Sequence, residues 1–200
     1  ANIPGCTDPA ADSYNADATS DDGSCVITGC TDETALNYDA NATVSDNTAC
    51  YYTLPNIIVN EIHYNPCDNQ GGDFDWEFVE FYNGGDEADI SGYEVWSAFS
   101  NPTSLAFAMA FPEGTVIPAD SYFLVVPGLV AQANYEAMGI TVFLMDNGNW
   151  GNGGGTAQLQ DAFGNIVDAV TYDDAEPWPS QEISVLGNIL AASPDGGCAS

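Results

Sequence analysis

The chain has 200 residues, of which 30 are Asp or Glu, none is Lys or Arg, and one is His, giving a formal charge of −30. Without a basic side chain it cannot offer a patch to a nucleic-acid backbone or an anionic lipid surface, form a lysine Schiff base, or clamp a phosphate with arginine. Hydrophobic residues make up 45% and aromatics 12%, enough to build a core, yet no stretch approaches the ~18 consecutive apolar residues of a membrane span.

The chain opens on Ala1 without a leader and is read as already processed for secretion,. Six cysteines, Cys6, Cys25, Cys30, Cys50, Cys67 and Cys198, support an oxidising, extracellular location,. No C-x-x-C pair suggests zinc.

Residues 1–50 hold two copies of one pattern. Residues 5–25 read GCTDPAADSYNADATSDDGSC, and residues 29–50 read GCTDETALNYDANATVSDNTAC. Pairing Cys6 with Cys25 and Cys30 with Cys50 would close one repeat each, and elimination leaves Cys67 with Cys198. A unit of this size cannot bury enough apolar surface alone and needs a bridge or a metal. Calcium takes 6–8 oxygen ligands, and the repeats space Asp and Asn closely in turn-rich loops. The candidate ligands are Asp8, Asn15, Asp17, Asp21, Asp22, Asp32, Asp39, Asn41 and Asp46. The competing reading is a solvated acidic loop held by its disulfide alone. Asn41-Ala42-Thr43 is also a glycosylation sequon, so Asn41 is a candidate for a glycan or a metal,. The pattern resembles the short cysteine-bounded, Asp-rich repeats of secreted bacterial proteins, and is similar in spirit to thrombospondin type 3 calcium repeats. The second copy departs from it at Asp46-Asn47-Thr48-Ala49.

Tyr51 to Pro55 read as a linker, and residues 56–200 as a second domain. Strands are expected at Ile57 to Tyr64, Trp76 to Asn83, Tyr93 to Ser97, Ser104 to Phe111, Ser121 to Val126, Thr141 to Met145, Thr156 to Gln160 and Ile166 to Tyr172, separated by Gly, Pro, Asn and Asp turns,. One short helix is expected near Val130 to Met138. The fold class is all-β: an immunoglobulin-like sandwich behind an N-terminal, turn-rich region stabilised by disulfides and calcium. The strings IIVNEIHYNP, DWEFVEFYNGGDEADISGYEVW, FPEGTVIPADSYFLVV and GGGTAQLQDAFGNIVDAVTYDD resemble, in order and spacing, a lamin tail domain. That resemblance implies a non-catalytic module and a closing strand for which Glu182 to Ala191 is only a loose equivalent.

Three features in this domain invite a chemical reading. His63 lacks the companions of a catalytic triad, so no catalytic residue is assigned. Asp73, Asp75 and Glu77 alternate at a strand start and are expected to form a solvated acidic row, with a metal site or a carboxylate pair as rivals. The run NGNWGNGGG at residues 147–155 reads as a flexible surface loop whose Trp150, with Trp178, offers a ring to a sugar or a protein,.

The function expected is that of a non-catalytic extracellular structural protein, a calcium-stabilised subunit of a self-assembling fibre, filament or surface layer. The alternative is an adhesion module that binds glycans or surface proteins, and the remote one a hydrolase accessory fragment. Neither nucleic acid nor membrane insertion is expected.

Overall fold

A computed structural model describes residues 2–64, 73–99, 104–151 and 153–172. Cys67, Cys198, Trp178 and the Glu182 to Ala191 segment lie outside the described residues. The chain divides into two compact units between Leu54 and Pro55.

The first unit is built from turns rather than a core. Its only strands, β1 (Thr28–Gly29) and β2 (Val44–Ser45), pair in parallel. The two copies fold alike. Cys6 bridges to Tyr14, and Cys30 bridges to Tyr38 in the same parallel sense. Ile3 receives Thr19 N–H and Ile27 receives Thr43 N–H at their carbonyls. The segment between the copies has two roles. Val26 accepts Asp12 N–H, Thr28 N–H donates to Asp12 Oδ2, and the same stretch then enters the second copy. After that copy, Leu36 N–H donates to Tyr51 O, Tyr51 N–H donates to Asn37 Oδ1, and Tyr52 OH donates to Asp32 Oδ2. Tyr51 and Tyr52 are therefore bonded into this unit.

The second unit holds two four-stranded sheets. β3 (Ile57–His63), β4 (Phe78–Asn83), β9 (Ser121–Val126) and β10 (Val142–Leu144) form the first sheet, in the order β10-β9-β4-β3. β6 (Glu94–Phe99), β7 (Ala106–Ala110), β11 (Gly155–Gln160) and β12 (Ile166–Tyr172) form the second, in the order β12-β11-β6-β7. A short ribbon pairs β5 (Ala88–Asp89) with β8 (Val116–Ile117). All eight expected strands are present within a few residues of their expected bounds.

Alternation explains which side of each strand faces inward. Val79 and Phe81 of β4, Phe123 and Val125 of β9, Val95 of β6, and Ala157 and Leu159 of β11 are buried in one shared core. Phe81 stacks on Phe123 at 5.2 Å, and Phe111 and Phe143 meet Phe123 edge-on. The sheet edge at β3 is partly closed: Val59 N–H donates to Asp168 Oδ2 of β12 across the sandwich, which blunts an edge otherwise open to strand pairing.

The expected helix is α1 (Leu129–Glu136). It joins β9 to β10, which run parallel, as such a crossover requires. Its buried Ala131 and Tyr135 pack with Leu124 and Val126, against Trp76, Phe78, Val142 and Leu144. The helix thus covers one end of the first sheet's outer face.

Candidate functional surfaces

In the first unit the acidic and amide side chains close the turns. Asp8 Oδ1 accepts Ala10 N–H, and its counterpart Asp32 Oδ1 accepts Thr34 N–H, both at 2.9 Å. Asn15 Oδ1 accepts Asp17 N–H, and Asp39 Oδ1 accepts Asn41 N–H. Asp21 Oδ1 accepts Gly23 N–H, Asp22 Oδ1 accepts Ser24 N–H, and Asp46 Oδ1 accepts Thr48 N–H. Each bond spans two residues, the Asx-turn geometry that Asp and Asn adopt where the chain must bend. These bonds favour the charged form: hydrogen bonds from Ser24, Thr34 and Thr48 hold Asp22, Asp32 and Asp46 below the ordinary carboxylate range,.

Of the nine candidate calcium ligands, seven close turns in this way, those of Asp21 and Asp22 overlapping, while Asp17 and Asn41 are exposed and contribute their N–H groups. Among the described residues, no three His, Cys, Asp or Glu side chains come together as a set for a metal ion. Asn41 lies on an exposed turn, and the Thr43 hydroxyl of its sequon accepts Ile27 N–H.

The disulfides Cys6–Cys25 and Cys30–Cys50 are both formed, with Cα atoms 4.7 and 5.1 Å apart. They point to an oxidising, extracellular environment. No helix among the described residues is long and apolar enough to cross a membrane.

In the sandwich, His63 stacks on Phe78 at 5.2 Å, and burial lowers its pKa. The strand expected to align Asp73, Asp75 and Glu77 begins only at Phe78. Asp73–Asp75 make a turn of 3-10 helix rather than a strand, so the alternation that would align them is lost. Glu77 is 1% exposed rather than solvated, and its Oε2 accepts Trp150 N–H at 3.2 Å. The glycine-rich run also differs from expectation. Trp150 is fully buried, and its indole N–H donates to Val125 O. The loop carries this ring into the core, where it cannot serve a sugar.

The outer face of the first sheet carries an apolar row beyond the end that α1 covers. Ile58, Tyr82 and Tyr122 are neighbours across β3, β4 and β9. Glu61 and Glu80 oppose each other one step along.

A family model described as the Lamin Tail Domain matches residues 52–174. The chain belongs to the lamin tail domain family. No curated protein matches it. The matched span holds the sandwich and all the strands expected for it, and lamin tail domains of this immunoglobulin-like kind are typically non-catalytic.

Two features that organise the lamin tail sandwich escape a reading by residue type. Asn83 is fully buried, and its Nδ2 donates to the carbonyls of Asp86, Ile117 and Pro118, while its Oδ1 accepts Gly85 N–H. It ties the end of β4 to the turn before β9. Asp161 is 1% exposed; its Oδ1 accepts Phe163 and Asn165 N–H, and its Oδ2 accepts Asn165 Nδ2. It locks the β11–β12 hairpin. Both stand at turns, where Asn and Asp are expected, and Asn83 also falls on the inward phase of β4 with Val79 and Phe81, the one signal that could have marked it as buried.

Proposed function

We propose that this protein is a non-catalytic extracellular structural protein, a subunit of a self-assembling fibre, filament or surface layer. The observation that carries the reading is how the first unit uses its polar side chains. Seven of them close the main chain's own turns, and two disulfides bind the turns together. That is the construction of a stiff spacer, joined here to a lamin tail sandwich. Copies of a chain with charge −30 repel one another, and association must use apolar contact, strand pairing or bridging cations. Strand β7, at the edge of its sheet among the described residues, suits the first two: Ala106–Ala110 has no charged residue, and Leu105 and Phe107 are each 37% exposed.

Calcium enters this proposal as the ion that offsets the closely spaced carboxylates of the repeats,. Added calcium then raises the melting temperature by linkage, and chelation reverses the gain. A melting curve indifferent to both removes calcium from the reading.

A second reading, an adhesion module, is favoured by the row of exposed Ile58 and Tyr122 beside half-buried Tyr82. Electron microscopy of native material, with calcium and after chelation, separates the two. Ordered fibres or sheets support assembly, and their loss on chelation assigns the joints to calcium. Isolated particles in both conditions overturn the assembly reading.

A further inference from the structure

The outer face of the first sheet sets an apolar row beside a charge conflict. Ile58 and Tyr122 are 42% and 51% exposed, and the rings of Tyr82 and Tyr122 lie 4.6 Å apart at 30°. At one end of the row, Tyr82 OH donates to Asp120 Oδ1 at 3.1 Å. Asp120 sits at φ 52, the one non-glycine residue with positive φ among those described. At the other end Glu61 and Glu80 are directly opposed across β3 and β4. Like charges at such positions destabilise a sheet. Asn60 Nδ2 donates to Glu80 Oε1 at 2.7 Å, which leaves the repulsion in place. Burial raises the pKa of Glu80, the Asn60 bond lowers it, and the charge of Glu61 raises it again.

What fits this face is set by its chemistry. Tyrosine ring faces attract cations, and more so when the hydroxyl leans on a carboxylate. A guanidinium stacks on an aromatic face and forks to a carboxylate at once, which an ammonium cannot do as well. A neutral sugar would stack on the same rings yet leave Glu61 and Glu80 in conflict. These 200 residues hold no Arg or Lys, so no guanidinium can come from a second copy or another part of them. We propose that this face docks an arginine-bearing segment of a different protein, with the guanidinium on the outer face of Tyr82 in its stack with Tyr122 and paired with Glu80. This goes beyond self-assembly and does not depend on it.

The test uses the full chain and a blocked pentapeptide, one arginine flanked by glycines, followed by NMR titration. Its twin replaces arginine with citrulline, which has the same shape without the charge. The arginine peptide is expected to shift the resonances of Tyr82, Tyr122 and Glu80, with little response to citrulline. Tyr122→Ser and Glu80→Gln each weaken binding by about fivefold. Glu113→Gln, at an exposed turn elsewhere on the sandwich, leaves it unchanged. Melting curves verify that each variant is folded, and Ile58→Ser replaces Tyr122→Ser if that variant is not. Equal responses to arginine and citrulline overturn the proposal. So does equal weakening by Glu80→Gln and Glu113→Gln, which would mean general attraction to a polyanion. Shifts of the same tyrosines by a neutral oligosaccharide, with none by arginine, would assign the face to glycans instead.

Discussion

Replacing Asn83 by Asp changes one atom and reverses a buried hydrogen-bond pattern. The Asn83 amide nitrogen donates to three carbonyls, at 2.8 Å to Asp86, 3.2 Å to Ile117 and 3.0 Å to Pro118, in a side chain with no solvent exposure. A carboxylate in its place aims an anion at those three oxygens. A protonated acid keeps one donor and serves part of the cluster. Losing the rest costs about 2 kcal/mol, at roughly 1 kcal/mol net per bond. Holding the proton adds up to ~1.4 kcal/mol per pH unit above the unfolded pKa near 3.9, until the ionised form takes over. The sign follows: the folded-state pKa of the new Asp is raised, so stability is retained at low pH and lost as pH rises. Urea unfolding of Asn83→Asp and wild type, followed by the fluorescence of buried Trp150, reads this at pH 5 and pH 7. Both lie above the sequence pI of 4.1, where the chain remains charged. The expected deficit is about 3 kcal/mol at pH 5 and larger at pH 7. A deficit equal at the two pH values, or below ~1 kcal/mol at pH 7, would refute the assigned hydrogen bonds.

Three more outcomes follow from the described geometry. Cys30→Ala with Cys50→Ala opens a loop with a sequence separation of 20 and is expected to cost the first unit about 3 kcal/mol, seen as faster hydrogen exchange at the Asp39 amide, which donates to Cys30 O. Gly155→Ala drives a methyl group into the Ala98 carbonyl and sets it 2.9 Å from the Tyr172 hydroxyl; a loss of about 2 kcal/mol or more is expected in thermal melts, while Gly153→Ala, with open space around it, stays near wild type. Burial first, and the charge of Glu61 second, push the Tyr135 pKa up to about 12 from 10.0. Its contribution is complete below pH 10 and fades as pH climbs through 12, so Tyr135→Phe should flatten alkaline unfolding monitored by tyrosinate absorbance.

The strands were legible because β-branched and aromatic residues alternate between turn residues: Ser121–Val126 and Ile166–Tyr172 have the bounds read from sequence alone. The local disulfides were legible because the repeat encloses each pair. Two readings failed, at Trp150 and at Glu77. Trp150 sits among glycines, so no pattern reports that its loop folds inward. Glu77 follows two acids at alternate positions, and the pattern suggests a strand where the chain makes a 3-10 turn. In the repeats, closely spaced Asp and Asn suit both calcium and Asx turns, because each needs an oxygen near a sharp bend. Spacing alone does not separate them, and the two uses are compatible, because an oxygen that closes a turn keeps a second lone pair,.

The two disulfides also set how far the first unit can be stretched. Each bridge takes its loop, of sequence separation 19 or 20, out of the load path. At ~3.4 Å per extended residue, roughly 120 Å of contour is withheld from any pull along the chain. Under tension the oxidised unit gives up its turns and then reaches a hard stop at the bridges. After reduction the same force draws out the hidden length. The redox state of the surroundings therefore determines whether this segment acts as a short tether or a long one.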